Sequence, residues 1–220
     1  MNYTENISKI MFILGKKLKK FETPVATEIS EKTRDPFMVL VSCLLSLRTM
    51  DKITGPISEK LFEIAKTPEE IADISLEKLE KIIKSVNYYK TKARRIKDIS
   101  KILLEKYNGK VPDKFEELMS LKGVGKKTAS IVMVYGYNKS HYIPVDSHVH
   151  VITNRLGWVK TKNADQTMDE LMKIISKKNR LDLNDLFVRL GQNICTTVSP
   201  FCSKCPINNY CPKIGIKNSR

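Results

Sequence analysis

Apolar residues recur at helical spacing along almost the whole chain, and strand-like alternation is nearly absent, so the pattern predicts an all-α protein. The first periodic stretch covers residues 7–18, runs into Lys19 and Lys20, and is broken by Glu22-Thr23-Pro24. Asp35-Pro36 then reads as a cap followed by a first-turn proline. The helix it opens, to about residue 47, is apolar nearly all round and therefore belongs at the centre of a domain. In the polar interruption that follows, Thr49 or Asp51 is the expected cap of the next helix.

Further helices are expected over residues 52–65, with a break or offset start near Gly55-Pro56, and over 68–73 and 76–84. A long helix begins at Tyr88-Tyr89 and ends before Asn108-Gly109, and Pro112-Asp113 opens a short one. Adjacent tyrosines on a helix point about 100° apart, so Tyr88 and Tyr89 do not both face a core. After an apolar helix at 129–135 and a polar loop at 136–142, Asp146 is the expected cap of a helix carrying His148, His150 and Leu156. Helices at 163–175 and 182–194 complete the set. His148 and His150 lie two apart, face different sides, and read as structural or surface residues.

The stretch Leu121-Lys122-Gly123-Val124-Gly125-Lys126-Lys127-Thr128-Ala129 changes the picture. Two glycines bracket a tight bend before an apolar helix, which reads as helix, hairpin, helix. Such a bend leaves amide N–H groups free at a helix start, here among Lys122, Lys126 and Lys127, and this suits a phosphate. The spacing is not that of a Walker loop.

At 220 residues and 41% hydrophobic composition, the chain has enough for one large core or two modest ones. The formal charge of +15 points to a polyanionic partner, nucleic acid first. With no bilayer-length apolar run and no apolar amino-terminal segment, a cytoplasmic location is expected, associated with the nucleoid in a prokaryote. Cys43, inside the apolar run at 37–47, reads as a small core residue.

The other four cysteines, Cys195, Cys202, Cys205 and Cys211, fall in the last 26 residues. In a reducing compartment this clustering favours metal-bound thiolates over disulfides. The spacing C-x6-C-x2-C-x5-C leaves zinc and a four-iron cluster equally open. The segment has four basic and no acidic side chains and too few apolar residues for a core of its own, so a metal is expected to supply what packing lacks.

From about residue 7 to 213 the chain resembles the endonuclease III family of DNA glycosylases, within the helix-hairpin-helix superfamily. The resemblance rests on the hairpin, on Val145-Asp146-Ser147-His148, where serine replaces the family's threonine, and on the cysteine tail. It implies a two-domain helical fold with a DNA-binding cleft between domains. Residues 1–22 would form the first part of an iron–sulfur domain, 23–145 a six-helix domain containing the hairpin, and 146–220 the helix bordering the cleft with the rest of the iron–sulfur domain. It also implies a [4Fe-4S] cluster on Cys195, Cys202, Cys205 and Cys211.

In chemical terms the resemblance implies that Lys127, as a neutral amine, attacks the sugar's anomeric carbon, and that Asp146 offsets the developing charge and assists proton transfer. Lys122, Gly123, Val124, Gly125 and Lys126 would hold phosphate, with Lys204 and Lys213 adding contacts from the tail. Arg48 and Tyr88 fall near positions that in relatives fill the gap left by a flipped nucleotide or touch the unpaired partner base, and bacterial members usually carry glutamine at the place of Arg48. The expected activity is that of a bifunctional glycosylase and abasic-site lyase acting on oxidised pyrimidines, such as thymine glycol, in damaged double-stranded DNA, as a monomer. Alternatives are a relative with another lesion preference (mismatched uracil or thymine, or oxidised guanine), a noncatalytic helix-hairpin-helix DNA-binding protein, and an electron-transfer protein using the cluster. Adenine glycosylases and thymine-mismatch glycosylases of the superfamily generally lack the lysine at the place of Lys127, and 8-oxoguanine glycosylases typically lack this cysteine tail.

Overall fold

The structure, a computed structural model, describes the backbone of residues 3–220 and the side chains from Asn6 onward. Met1 and Asn2, which the expected 1–22 segment includes, lie outside the described residues. The fold is all-α, with no strand among the described residues. It divides into two compact helical units, one of residues 25–138 and one of the segment to Pro24 with 139–220.

The 25–138 unit is built around α3 (Pro36–Ser46). Asp35 caps it as the sequence predicts, one carboxylate oxygen accepting from the amides of Phe37 at 2.7 Å and Met38 at 3.1 Å. Every residue from Val39 to Leu45 is buried, Cys43 among them, a full helical circumference that only neighbours on all sides can cover. Those neighbours are α2 (Val25–Thr33), α4 (Asp51–Ile64), α7 (Tyr89–Tyr107), α9 (Lys126–Ile131) and the π-turn Val132–Gly136 that continues α9. Helix α2 is absent from the sequence expectation. Its buried Val25 and Ile29 lie one helical turn apart, but two large apolar residues among nine are a weak signal, and docking on α3 completes the helix.

Two further corrections concern α4. It runs unbroken through Gly55-Pro56, because Pro56 lies on the exposed face where the carbonyl that loses its partner is open to water. Its N-cap is Met50, without a side-chain hydrogen bond, while Thr49 is engaged elsewhere. α5 (Pro68–Asp73) begins in a Thr67/Glu70 capping box and packs with α6 (Leu76–Ile82) against α7. Lys97 of α7 donates to the carbonyls of Ala72 (2.8 Å) and Ile74, closing the end of α5. α8 (Phe115–Ser120) precedes the hairpin.

In the other unit, α1 (Tyr3–Lys17) buries Ile7, Ile10, Met11 and Leu14 and packs against α12 (Lys177–Asn193). α12 starts five residues before the expected 182, its polar first turn giving no apolar signal. It also packs against α10 (Ser147–Arg155), which touches α11 (Ala164–Ile174). Gly191 of α12 lies under the imidazole of His148: a β-carbon there would stand 2.3 Å from Nδ1 and 2.8 Å from Cβ of that histidine. Gly191→Ala is expected to force α10 and α12 apart, destabilising the protein by about 1–3 kcal/mol and lowering its melting temperature by several degrees in a circular-dichroism melt. Among the described residues no helix is long and apolar enough to cross a membrane.

Candidate active site

The hairpin is a turn anchored from beneath. Leu121 and Val124 are buried, and the Val124 amide donates to the Leu121 carbonyl at 2.9 Å. Gly123 has φ +89°, a conformation that penalises any side chain, and Arg95 of α7 lies across it: a β-carbon would come within 2.2 Å of the arginine Nε. Gly125 caps α9 in an extended conformation with no side-chain hydrogen bond, so the first-turn amides of α9 are left for a ligand. Val124 is therefore the anchor: of the five positions expected to hold phosphate, it alone has its side chain buried and its amide used within the turn. Lys122, Gly123 and Gly125 are exposed, and Lys126 is half-buried.

Thr128, Ala129 and Ser130 are buried, and this fixes the rotation of α9 and turns Lys127 outward to solvent. Its charge still acts on α3. Burial pushes the Cys43 thiol up to about 12, and Lys127 partly offsets that rise.

Asp146 caps α10 as expected, one oxygen accepting from the Val149 amide at 2.9 Å, and is half-buried. His150 bonds Thr167 through Nδ1 (2.7 Å) and His148 packs on Gly191, so both histidines are structural, as their spacing indicates.

Arg48 and Tyr88 are exposed, and the guanidinium carbon lies 6.0 Å from the centre of the Tyr88 ring. Tyr88 is not in the helix expected to start with it. It precedes α7 in a left-handed conformation, φ 57°, outside the helical register that Tyr89 begins. Lys204 and Lys213 are exposed in the tail.

The cysteine tail is the main correction. Cys195, Cys202, Cys205 and Cys211 line one apolar cavity of about 20 Å³, room for about one water molecule. Among the described residues no group of three or more His, Cys, Asp or Glu side chains is placed to hold a metal ion, which overturns the expected [4Fe-4S] cluster on these cysteines. Burial holds the thiols of Cys195 and Cys211 above their usual range and pushes Cys205 up to about 11.

The tie expected of a metal comes instead from buried Arg155 of α10. Its guanidinium donates to the carbonyls of Cys195 (3.3 Å), Thr196 (2.9 Å) and Thr197 (2.6 Å) and to the Cys195 sulfur (3.2 Å). Arg220 closes the segment, its guanidinium 3.8 Å from the Phe201 ring centre and its amide donating to the Pro200 carbonyl. Sequence reasoning passed over Arg155 because a basic residue in a helix's last turn is ordinary.

Helical units carrying a glycine hairpin ringed by lysines define a helix-hairpin-helix DNA-repair protein, and residues 41–177 match the family model for HhH-GPD superfamily base excision DNA repair proteins. Within that superfamily the chain belongs to the endonuclease III family. Endonuclease III of Thermotoga maritima is 46% identical over 182 residues, spanning 83% of this chain and 85% of that one. The solved structure of a trapped endonuclease III–DNA covalent intermediate, an estranged-adenine complex, is 31% identical, covers 97% of each chain and superposes with a TM-score of 0.83. A thermostable thymine-DNA glycosylase, 23% identical with the same TM-score and 96% of this chain covered, shares the fold.

Proposed function

We infer that this chain is a bifunctional DNA glycosylase and abasic-site lyase that excises oxidised pyrimidines from damaged duplex DNA. The observation that carries the reading is the placement of Lys127, exposed directly after the hairpin on a helix whose rotation is fixed by buried neighbours, in a chain 31% identical to a protein trapped covalently on DNA.

A base within the duplex is out of reach of an amine, so the nucleotide is first rotated out of the stack, at a cost of a few kcal/mol that damage lowers. Amides of Gly123, Gly125 and the first turn of α9 hold backbone phosphate, with Lys122 and Lys126 supplying countercharge. Lys204 and Lys213 add phosphate contacts, and Arg48 and Tyr88 occupy the vacated space.

The Lys127 amine attacks C1′ as the bond to the base breaks, and the base departs with a proton. Asp146, with one oxygen on the Val149 amide, has its second oxygen to offset positive charge on the sugar and to relay the proton. The C1′–O4′ bond then breaks, O4′ taking up a proton, which opens the sugar and leaves a protonated imine that acidifies C2′. Loss of a C2′ proton expels the 3′ phosphate, and hydrolysis of the imine returns Lys127. On this reading the protein works where the genome lies, which in a prokaryote is the nucleoid within the cytoplasm.

Borohydride trapping on a duplex with one thymine glycol is expected to give a covalent adduct, absent with intact thymine. An adduct on abasic DNA but never on thymine glycol or another oxidised pyrimidine would reject the proposed lesion class while keeping the lyase.

A further inference from the structure

Arg48 and Tyr88 both hold left-handed backbones, with φ of 55° and 57°, though neither is glycine. Such conformations persist only where the surroundings impose them. Here Thr49 lies at the centre of the imposition. Its hydroxyl oxygen accepts from the Asn87 amide at 3.1 Å and from the Lys92 ammonium at 3.0 Å. Lys92 also donates to the Leu45 carbonyl near the end of α3 at 2.7 Å, and the Asn87 side chain donates to the Arg48 carbonyl at 2.5 Å. Residues 45–49 and 87–92, far apart in sequence, are thus joined through Lys92, Thr49 and Asn87, with Lys92 the one buried charge among them.

Lys92 is 3% exposed and occupies a core position of α7, in step with Ile96, Ile99 and Leu103. An apolar side chain would fill that position without the cost of a buried amine, so packing alone gives no reason for lysine. Burial, with Arg95 nearby, lowers its pKa to about 8, which leaves the ammonium largely protonated and able to donate at neutral pH.

We propose that Lys92 is a positioning residue that locks the two segments together, so that Arg48 and Tyr88 enter the duplex as a single preformed wedge. This rests on the reading that the pair fills the space left by the extruded nucleotide. Without Lys92 only the two Asn87 hydrogen bonds span the segments, too little to hold both left-handed turns, and the side chains separate.

Lys92→Met keeps the volume and removes both hydrogen bonds, and Thr49→Val removes the shared acceptor from a half-buried loop. Each is to be assayed for single-turnover excision of thymine glycol, for cleavage at a preformed abasic site, and for fluorescence of a 2-aminopurine beside the lesion. Excision requires a base to be unstacked, whereas an abasic site has none. The expected result is a fall in excision of about 10-fold or more and a reduced fluorescence rise, with abasic-site cleavage held within about 3-fold.

Arg48→Ala/Tyr88→Ala is the reference, and Lys92→Met added to it is expected to cost nothing further. If that reference keeps full excision, the wedge reading itself fails. If the reference loses excision while Lys92→Met and Thr49→Val keep it, or lose both reactions equally, the positioning role is overturned and the wedge stands. Should Lys92→Met not fold, Thr49→Val decides by the same comparison.

Discussion

Lys127→Ala is expected to lower excision of thymine glycol by on the order of 10⁴-fold or more, and to abolish the borohydride adduct on both lesion and abasic DNA. Removing a nucleophile closes the covalent route altogether, and water is a poor replacement at C1′. Duplex affinity should stay close to that of the parent, because Lys122 and Lys126 and the hairpin amides remain. A filter-binding salt titration separates nucleophile from phosphate contact. The slope of log affinity against log salt should change by well under about one unit, the amount expected for one lost phosphate contact. If affinity and chemistry fell together with a full unit of slope, Lys127 would be a phosphate ligand like its neighbours. Fold should be untouched, since the side chain is exposed and the buried Thr128 to Ile131 hold α9 in place.

Asp146 should show two separable effects, because its carboxylate caps α10 through the Val149 amide and also carries the charge assigned to catalysis. Asp146→Asn retains a good capping side chain and removes the charge, so excision should fall about 10²- to 10³-fold with a melting temperature near that of the parent. Asp146→Ala removes both. It should lose activity to the same degree and about 1 kcal/mol of stability besides, a lowering of roughly 2–4 °C for a chain of this size. Full activity in the asparagine variant would reduce Asp146 to a helix cap. Trapping with Asp146→Asn should still form adduct, only slowly, because Lys127 is intact.

Much of this site was legible in the residues themselves. The glycine spacing of Gly123 and Gly125 predicts the turn, and Gly123, at φ +89°, holds a backbone few other residues adopt. The pattern Asp35-Pro36 predicts where α3 starts, and the absence of polar residues from its faces predicts that it is central. The Asp146 cap follows from one side chain and the amides just after it, a contact within three residues. All of these are local, and local geometry follows from local sequence.

What was misread depends on contacts the chain makes with distant parts of itself. Helix α2 is short, with only Val25 and Ile29 as large apolar residues, and α3 covers them. Thr49 looked like a cap and instead accepts hydrogen bonds from Asn87 and Lys92, 38 and 43 residues away. The cysteine spacing pointed to a metal, yet the four thiols line a cavity fit for one water and Arg155, 40 residues before Cys195, ties the segment down. Lys92 carried a signal that could have been used: a lysine in register with Ile96, Ile99 and Leu103 is out of place on an apolar face unless its ammonium has partners.

By itself, then, the sequence determined the all-helical class, most helix starts and the hairpin. These follow from backbone preferences and hydrophobic period, which act over a few residues. Tertiary structure alone decided which way Lys127 faces, that the Val124 side chain is buried beneath the turn, and that Arg48 and Tyr88 stand near one another on left-handed turns. Those outcomes depend on which buried groups must find partners once the chain is packed, and partners for a buried ammonium or guanidinium are chosen by distance in space.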